Sequence, residues 1–383
     1  MSELLTAAEL AALVARVFQP TADDTQCGIM IDLPDDRVAD DRDWQARRAI
    51  AAEWVRLLDD QAATLGYHTR LLLYPNVHTN NGDLPDRCWI HERGPIPQRA
   101  GELDAAAARP MAEIFDNYSI ILAVTRYSST APLKVAARAH SFRAATMPGF
   151  TAAMIPSLRL DYTEVSRRVN ILKDLLDRAT GADFVFRHAL GEDHLHLDLR
   201  HRTGHASGGL LPTRGVAGNL PSGEAYIVPY EGEREGDPSL SEGVLPVQFR
   251  SEVVRYLIVA NKAMQVVTHG PESEREAALL ASEPAYGNIA ELGLGVLAAF
   301  GVRPIGVVLL DEKLGLHIAF GRSEHFGGQV GPDAFSSPDA VVHIDRVYVK
   351  ETQPDVLPVS VDLLFADGAT HALMRDGAFG EIF

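Results

Sequence analysis

The first third of the chain alternates between continuous apolar runs and a segment with helical spacing. Three runs, CGIMIDLP (27–34), TRLLLYPNV (69–77) and YSIILAVTR (118–126), are apolar on both faces and have the length of strands. Between the first two, residues 41–66 repeat large apolar side chains at helical spacing. Strands that are apolar on both faces and separated by helices are typical of a parallel sheet covered on both sides. The pattern therefore predicts an α/β domain over residues 1–159.

Residues 161–181 carry the clearest helix signals of the chain. Asp161 can cap the N-terminus, with Glu164 three residues later, and Gly181 can end the helix. We expect this helix to connect the two halves of the chain.

After this helix, the apolar period changes from helical spacing to alternation. In DHLHLDLRHR (193–202), Leu195, Leu197 and Leu199 are predicted on one face of a strand, and His194, His196, Asp198 and Arg200 on the other. Further strands are predicted at EAYIVPY, EVVRYLIVANKAMQVVTHG, IGVVLLDE, LHIAFG, AVVHIDRVYV and VSVDLLFADGATHALMR, and a helix at ESEREAALLAS (272–282). Residues 160–383 are therefore predicted as a β-rich α+β domain, which we expect to bind metal. The fold class is an α/β N-terminal domain with a mostly parallel sheet, followed by this domain.

Composition narrows the class of protein. A chain of 383 residues is too long for one ordinary core, which favours two domains. The net charge of -17 disfavours nucleic acid and anionic membranes as partners. Cys27 and Cys88 form no CxxC pair. The N-terminal segment is acidic where a signal peptide is basic, and no apolar run reaches the length of about 18 residues that a membrane span needs. We therefore expect a cytoplasmic protein.

Carboxylates and imidazoles stand in four short segments of the second half. They are NLPSGEAYIVPYE with Glu224, YGNIAELGLG with Glu291, DEKLGLHIAFG with His317, and VVHIDRVYV with His343 and Asp345. Glu291 lies in an apolar segment, where a buried charge needs a partner. His343 and Asp345 are two residues apart on a strand and share a face. His317 considered alone fits an ordinary core histidine better than a ligand.

Taken in order, these segments resemble the aminopeptidase T and aminopeptidase S (thermophilic leucyl aminopeptidase) family of two-metal exopeptidases. The family's motifs run Asn-Leu-Pro-x-x-Glu, Glu-Leu-x-x-Gly, Asp-Glu-x…His-Ile-Ala-x-Gly and His-x-Asp. NLPSGE, ELGLG, DEKLGLHIAFG and HID match them over about residues 160–350. The resemblance implies that the metal ligands are Glu224, Glu291, His317, His343 and Asp345. It also implies a homodimer that removes N-terminal residues from peptides, with the first domain covering the site.

The chemistry of this ligand set suits two divalent cations. Three carboxylates cancel three of the four positive charges, and the remaining charge suits a bridging hydroxide that attacks the substrate. Oxygen and imidazole ligands without thiolate fit zinc, cobalt or manganese. We expect a peptide or a related small amide as the substrate.

The sequence departs from the family at one catalytic position. The family has a Tyr seven residues beyond the His of its third motif, where it is thought to stabilise the tetrahedral intermediate. This chain has Glu324 there, followed by His325. The catalytic candidates are therefore His325 as a hydrogen-bond donor, Glu324 and Glu291, with Tyr348 as a distant substitute for the phenol. We expect weak or narrow peptidase activity.

Two other functions stay open at this point. Ring-opening dihydroxypyridine dioxygenases are related to the same fold, and His317, His343 and Asp345 could form their two-histidine, one-carboxylate iron site. Glu291 argues against that site, because a mononuclear centre needs no additional carboxylate. The third possibility is a binding relative that kept the site and lost its activity, for which the missing Tyr is the support.

Four other polar residues have simpler interpretations. His194 and His196 share a strand face with charged residues, which is more typical of a solvated face than of a metal site. Glu312 and Lys313 stand near His317 in the sequence, but a surface turn explains them equally well.

Overall fold

The structure is a computed structural model that describes residues 4–92 and 94–383. The chain divides into two compact units. The first comprises the residues up to Glu164 together with Gly209–Ser222, and the second comprises Val165–Gly208 and Gly223–Phe383. Because residues 209–222 return to the first unit, the two units are not separated by a single boundary in the sequence. Within the described residues, no helix has both the length and the apolar character that crossing a membrane requires.

Strands and helices alternate in the first unit, and strands dominate the second. The strands are β1 Gln26–Leu33, β2 His68–Pro75, β3 Arg87–His91, β4 Arg109–Pro110, β5 Ile120–Ala123, β6 Arg143–Thr146, β7 Ala179–His188, β8 Gly191–Asp198, β9 His205–Ser207, β10 Val216–Asn219, β11 Glu224–Ile227, β12 Glu242–Phe249, β13 Glu252–Val259, β14 Lys262–Val266, β15 Ile289–Gly295, β16 Leu316–Gly321, β17 His343–Val347, β18 Leu357–Phe365, β19 Thr370–Arg375 and β20 Ala378–Phe379. The helices are α1 Ala7–Phe18, α2 Arg42–Asp59, α3 Ala62–Leu65, α4 Met111–Asn117, α5 Thr130–His140, α6 Ile155–Leu158, α7 Tyr162–Arg178, α8 Pro271–Ser282 and α9 Val308–Asp311.

The first unit is built on a mostly parallel sheet, with strand order β10-β6-β5-β1-β2-β3-β4. The strands from β10 to β2 pair in parallel, and β3 and β4 pair antiparallel. From Cys27 to Leu33, β1 is buried throughout, as its continuous apolar run predicts. Cys27 and Cys88 are free and buried. The predicted fold class is confirmed by this sheet and by the antiparallel sheets of the second unit.

Two predicted helices end earlier than expected. The helix predicted over 41–66 breaks after Asp59, whose carboxylate accepts the backbone N–H of Thr69 at 3.0 Å, and α3 follows as a separate turn. The helix predicted over 161–181 ends at Arg178. Gly181 does not end it but lies within β7, where an added Cβ would come within 2.7 Å of the His196 ring. Close packing in the sheet therefore explains this glycine.

The second unit contains two antiparallel sheets. The long sheet has the order β14-β13-β12-β8-β7-β18-β19-β20, and the short sheet has the order β17-β16-β15-β11-β9. The leucines of β8 face inward as predicted, but Asp198 is also buried, where Arg200 binds its carboxylate at 2.7 Å. Its predicted position on the solvated face is wrong, because this ion pair compensates for the burial of the charge.

The strand predicted at IGVVLLDE is wrong. This segment forms α9, followed by a tight turn at Glu312–Leu314. The Asp311 carboxylate accepts the backbone N–H groups of Ile305 and Gly306 at 2.9 Å each. These bonds fold the segment back on itself, so its apolar residues cannot extend into a sheet.

Candidate metal centre

The short sheet has one apolar face and one polar face. In β15, Leu292 and Leu294 point to the apolar face, whereas Glu291, Gly293 and Gly295 alternate with them on the other, and all are buried. The same alternation in its neighbours collects polar side chains on one side of the sheet.

Strand pairing brings the predicted ligands together on this face. Glu224 pairs with Gly295, and His317 with Gly293. Both Glu291 and Asp345 pair with the small residue Ala319 from either side. His343 pairs with Gly321 in the last row of the sheet. In most of these cross-strand pairs, the partner of the ligand candidate is glycine or alanine, so the larger side chains have room to converge.

The five predicted ligands form two groups that share Glu291. The ligand atoms of Glu224, Glu291 and His317 lie within 4.8 Å of one another, as do those of Glu291, His343 and Asp345. Glu291 Oε1 lies 3.3 Å from His317 Nε2, and Glu291 Oε2 lies 3.3 Å from His343 Nε2. The two oxygens of one carboxylate therefore face two different imidazoles, which is the arrangement of a bridging ligand.

Backbone carbonyls orient both imidazoles. His317 Nδ1 lies 3.3 Å from the carbonyl oxygen of Gly315, and His343 Nδ1 lies 2.8 Å from that of Arg322. A carbonyl oxygen only accepts hydrogen bonds, so each Nδ1 carries the hydrogen and donates it. This donation by the other ring nitrogen is the contact that orients metal-binding histidines in proteins, and it leaves each Nε2 facing the carboxylates.

Two glycines of β15 make space for this arrangement. A Cβ at Gly293 would lie 1.9 Å from His317 Nε2, so the imidazole occupies the volume of the missing side chain. A Cβ at Gly295 would lie 2.1 Å from the carbonyl carbon of Lys313. The spacing Glu-Leu-Gly-Leu-Gly therefore places a carboxylate on the polar face and lets two other segments pack closely beside it.

The charges of the centre stabilise one another. Burial opposes ionisation of Glu291, but hydrogen bonds and charge from His317 and His343 hold its pKa at about 2. Burial also opposes the charged form of His317, yet Glu291 raises its pKa to about 9. His343 has a raised pKa, and Asp345 a lowered one, because they face each other despite their burial. Three carboxylates thus attract positive charge into a buried site.

Glu224 has one oxygen in a hydrogen bond and one oxygen without a hydrogen bond, which lies 3.6 Å from His317 Nε2. Its Oε1 accepts a hydrogen bond from the Lys313 ammonium at 2.5 Å. Its Oε2 is buried and has no hydrogen-bond partner among the described residues. A buried oxygen without a partner is costly and explains why this carboxylate would accept a cation.

Lys313 is a buried part of the centre, contrary to its prediction from the sequence. Its side chain is buried, and its ammonium contacts both Glu224 and Glu312, so the surface-turn interpretation of Lys313 is wrong. Burial and the charge of Glu224 raise the pKa of Glu312, against the influence of Lys313. The signal available in the sequence was a lysine enclosed by apolar residues in VVLLDEKLGLHIAFG.

The predicted hydrogen-bond donor and its neighbour lie in different surroundings. The His325 ring lies against that of His343, with centroids 5.3 Å apart, and burial followed by the charge of His343 lowers the pKa of His325 to about 4. The Glu324 carboxylate instead accepts two hydrogen bonds from Arg322, at 2.6 and 2.8 Å. Tyr348 donates its hydroxyl to the carbonyl of Pro246 at 2.8 Å.

Glu231 organises the segment that carries His325. Its buried carboxylate accepts hydrogen bonds from the Ser323 hydroxyl at 2.6 Å and from the backbone N–H of Gln329 at 2.5 Å. Asn288 donates to the same carboxylate at 2.8 Å. Because these contacts lie on both sides of His325 in the sequence, they restrict its position relative to His343.

Aromatic rings that sequence reasoning missed lie beside the centre. Tyr226 stacks on His205 with centroids 5.1 Å apart and meets Phe326 edge to face at 4.9 Å. Phe326 also contacts His343, at 5.3 Å. Burial, together with the charges of Glu291 and Glu224, raises the pKa of Tyr226. The available signal was the alternation in Glu-Ala-Tyr, which places Tyr226 on the same face as Glu224.

The residues present fit a metal centre. They supply carboxylate oxygens and imidazole nitrogens without thiolate, which suits zinc, cobalt or manganese. Glu224 Oε2, which has no hydrogen-bond partner, lies in the first group, and Glu291 presents one carboxylate oxygen to each group. The structure therefore contains residues that could hold metal on this face of the short sheet.

Two solved enzyme structures share the fold of the whole chain. One is 2,5-dihydroxypyridine dioxygenase from Pseudomonas putida KT2440, with 14% sequence identity and a TM-score of 0.58, over 98% of this chain and 98% of that one. The other is wild-type AmpT from Thermus thermophilus, with 16% identity and a TM-score of 0.55, over 97% and 98%. No protein-family model and no curated protein matches the sequence. At these identities the similarity establishes a distant relationship of fold.

Proposed function

We propose that this protein is a metal-dependent hydrolase that removes N-terminal residues from peptides or cleaves a related small amide. One observation supports the proposal most strongly. The two carboxylate oxygens of Glu291 lie 3.3 Å from two different imidazoles, Oε1 from His317 Nε2 and Oε2 from His343 Nε2. A carboxylate shared in this way suits two metal ions better than one. The fold shared with AmpT is compatible with this function.

The proposed ligands divide between two positions. Glu224, His317 and one oxygen of Glu291 would hold one ion. His343, Asp345 and the other oxygen of Glu291 would hold the second. A metal pair of this kind supplies Lewis acidity and an activated water molecule.

Other residues would position the substrate and its developing charge. His325 is neutral at pH 7 because its pKa is lowered to about 4, so one ring nitrogen can donate a hydrogen bond to a substrate oxygen. Arg322 binds the Glu324 carboxylate, which reduces the repulsion that this carboxylate would exert on an oxyanion. Tyr226 and Phe326 would form an apolar wall that limits the access of water.

The proposal is tested by a hydrolysis screen of amino-acid amides and short peptides, with zinc, cobalt or manganese added. We expect wild-type protein to cleave some of them and Glu291→Gln to lose at least about a hundredfold in kcat/KM, since the bridging charge is removed. Glu274→Gln changes an exposed carboxylate on α8 and serves as the matched control.

Two outcomes would overturn the proposal. If wild-type protein binds two ions and hydrolyses none of these substrates, a binding relative without activity becomes the better account. If it contains one iron and opens a dihydroxypyridine ring, the mononuclear dioxygenase replaces the hydrolase.

A further inference from the structure

A buried ammonium distinguishes the two halves of the candidate metal centre. The Lys313 side chain is only 1% exposed, and its Nζ donates to Glu224 Oε1 at 2.5 Å. It also contacts Glu312, so both of its carboxylate partners lie within the protein. The group formed by Glu224, Glu291 and His317 therefore includes a fixed positive charge on one of its own carboxylates.

The group of Glu291, His343 and Asp345 has no such buried ammonium beside it among the described residues. Among the described residues, no lysine or arginine forms an ion pair with Glu291 or Asp345. The nearby guanidinium of Arg322 is bound to Glu324. The group of Glu291, His343 and Asp345 therefore offers two carboxylates whose charge is not shared with a permanent cation.

We propose that Lys313 makes the two metal positions unequal. The position at Glu291, His343 and Asp345 binds its ion first and tightly, and the position at Glu224, Glu291 and His317 binds the second ion more weakly. This inference rests on the proposed function, because it assumes a centre for two divalent cations.

The physical reason is repulsion in a water-poor site. A divalent cation at Glu224 Oε2 would lie next to an ammonium that is held on the other oxygen of the same carboxylate. Charges of like sign repel strongly where water does not screen them, and Lys313 cannot move into solvent without breaking a buried contact with Glu224 and a partly buried contact with Glu312. The carboxylate of Glu224 is also partly neutralised before the ion arrives.

The consequence is a centre whose occupancy depends on the concentration of metal. At low concentration, one ion occupies the His343 side and Lys313 compensates the charge of Glu224. At higher concentration, the second ion completes the pair. Lys313 thereby sets the concentration at which the two-metal form assembles.

Calorimetric titration of the metal-free full-length protein with Co²⁺ alone tests the inference. We expect two classes of site per chain, with dissociation constants that differ by about tenfold or more. Lys313→Met keeps the length of the side chain and removes its charge, and it should tighten the weaker class by about tenfold or more. Lys350→Met, at an exposed lysine, is the matched control and should leave both classes unchanged.

Two further variants test the inference independently of how Lys313→Met folds. Glu224→Gln should abolish the weaker class and retain the tighter one, whereas His343→Ala should abolish the tighter one. Two equal classes in the wild type would overturn the inference, as would loss of the tighter class in Glu224→Gln. Circular dichroism of each variant would check that it is folded.

Hydrolysis measured on the same samples separates this inference from the proposed function. Two unequal classes, of which Lys313→Met tightens the weaker, without hydrolysis would support the role of Lys313 and reject the hydrolase, whereas a weaker class unchanged in Lys313→Met would reject the role of Lys313. Hydrolysis with two equal classes would support the hydrolase and reject the role of Lys313.

Discussion

At the scale of single residues, the centre depends on neighbours that are not ligands. The imidazole of His317 fits only because Gly293 has no side chain, and Glu224 is oriented by Lys313. The order of motifs shared with a known family predicted Glu224, Glu291, His317, His343 and Asp345 as ligands, and the structure brings these five side chains together in two groups. The importance of Lys313 could not be predicted in the same way, because its burial depends on the packing of a turn against another strand.

Gly293→Ala tests the contact that positions His317. The added methyl group would overlap the imidazole, since its carbon would lie 1.9 Å from His317 Nε2, and the ring would have to turn away from Glu291. We expect the loss of about one bound ion per chain and a fall in stability of about 1–3 kcal/mol from overpacking. Elemental analysis and chemical denaturation provide the two readouts.

Gly101→Ala is the control for that substitution, because a Cβ there meets no atom within 4 Å. Full metal content in Gly293→Ala would contradict the close fit of the imidazole.

His325→Ala tests the substitute for the missing phenol. Loss of a donor to an oxyanion costs about a hundredfold to a thousandfold in rate, and an imperfect donor costs less, so we expect kcat to fall by about tenfold to a hundredfold. The measurement is kcat and KM on the best substrate of the hydrolysis screen. His269→Ala, at an exposed histidine, is the control. An unchanged kcat in His325→Ala would remove this residue from catalysis.

At the scale of elements, alternation predicted strands well where one face of the strand is apolar and the other carries polar or small residues. The segments LHIAFG and HID became β16 and β17, because each places apolar and polar residues on opposite faces. IGVVLLDE failed because a strand and a short buried helix have the same apolar run, and the deciding contacts of Asp311 link residues that pattern alone does not pair. At the break after Asp59, the carboxylate of this residue likewise binds the backbone of Thr69 in the next strand, a contact that pattern alone does not reveal.

The outer face of β8 provides a prediction at this scale. His194 is exposed, and His196 Nδ1 lies 2.7 Å from Asp183 on the neighbouring strand β7. This pairing explains His196 without a metal ion. We expect the double substitution His194→Ala/His196→Ala to leave the metal content per chain unchanged, as measured by elemental analysis. A loss of metal in this variant would reveal a second site on the long sheet.

At the scale of the whole molecule, sequence patterns predicted the order of an α/β unit followed by a β-rich unit. They did not predict that residues 209–222 return to the first unit, because this depends on contacts between residues far apart in the chain. Asp24 provides one such contact. It is buried and forms ion pairs with Arg143 at 2.6 Å and with Arg214, from the returning segment, at 2.8 Å.

Asp24 should therefore contribute to stability in a defined range of pH. Burial opposes its ionisation, but hydrogen bonds from Thr21 and contacts with Arg143 lower its pKa to about 2. Because this is below the unfolded value of about 3.9, the contribution is complete above about pH 5 and is lost progressively as the pH falls towards 2 and below. We expect it to amount to about 2–3 kcal/mol, measured by urea denaturation between pH 5 and 2.

Asp24→Asn should lower the stability at pH 7 and should lack this part of the pH dependence, whereas Asp23→Asn, the neighbouring exposed position, should retain it. An identical acid profile for Asp24→Asn and wild type would reject the role of this ion pair.

The number and position of bound metal ions test the central claim most directly. Anomalous X-ray scattering from crystals of wild-type protein, purified without chelator and supplied with zinc, cobalt or manganese, would locate each ion. The account predicts two ions per chain, about 3.5–4 Å apart, with one oxygen of Glu291 on each. A single iron held by His317, His343 and Asp345, with Glu224 and Glu291 unbound, would contradict it.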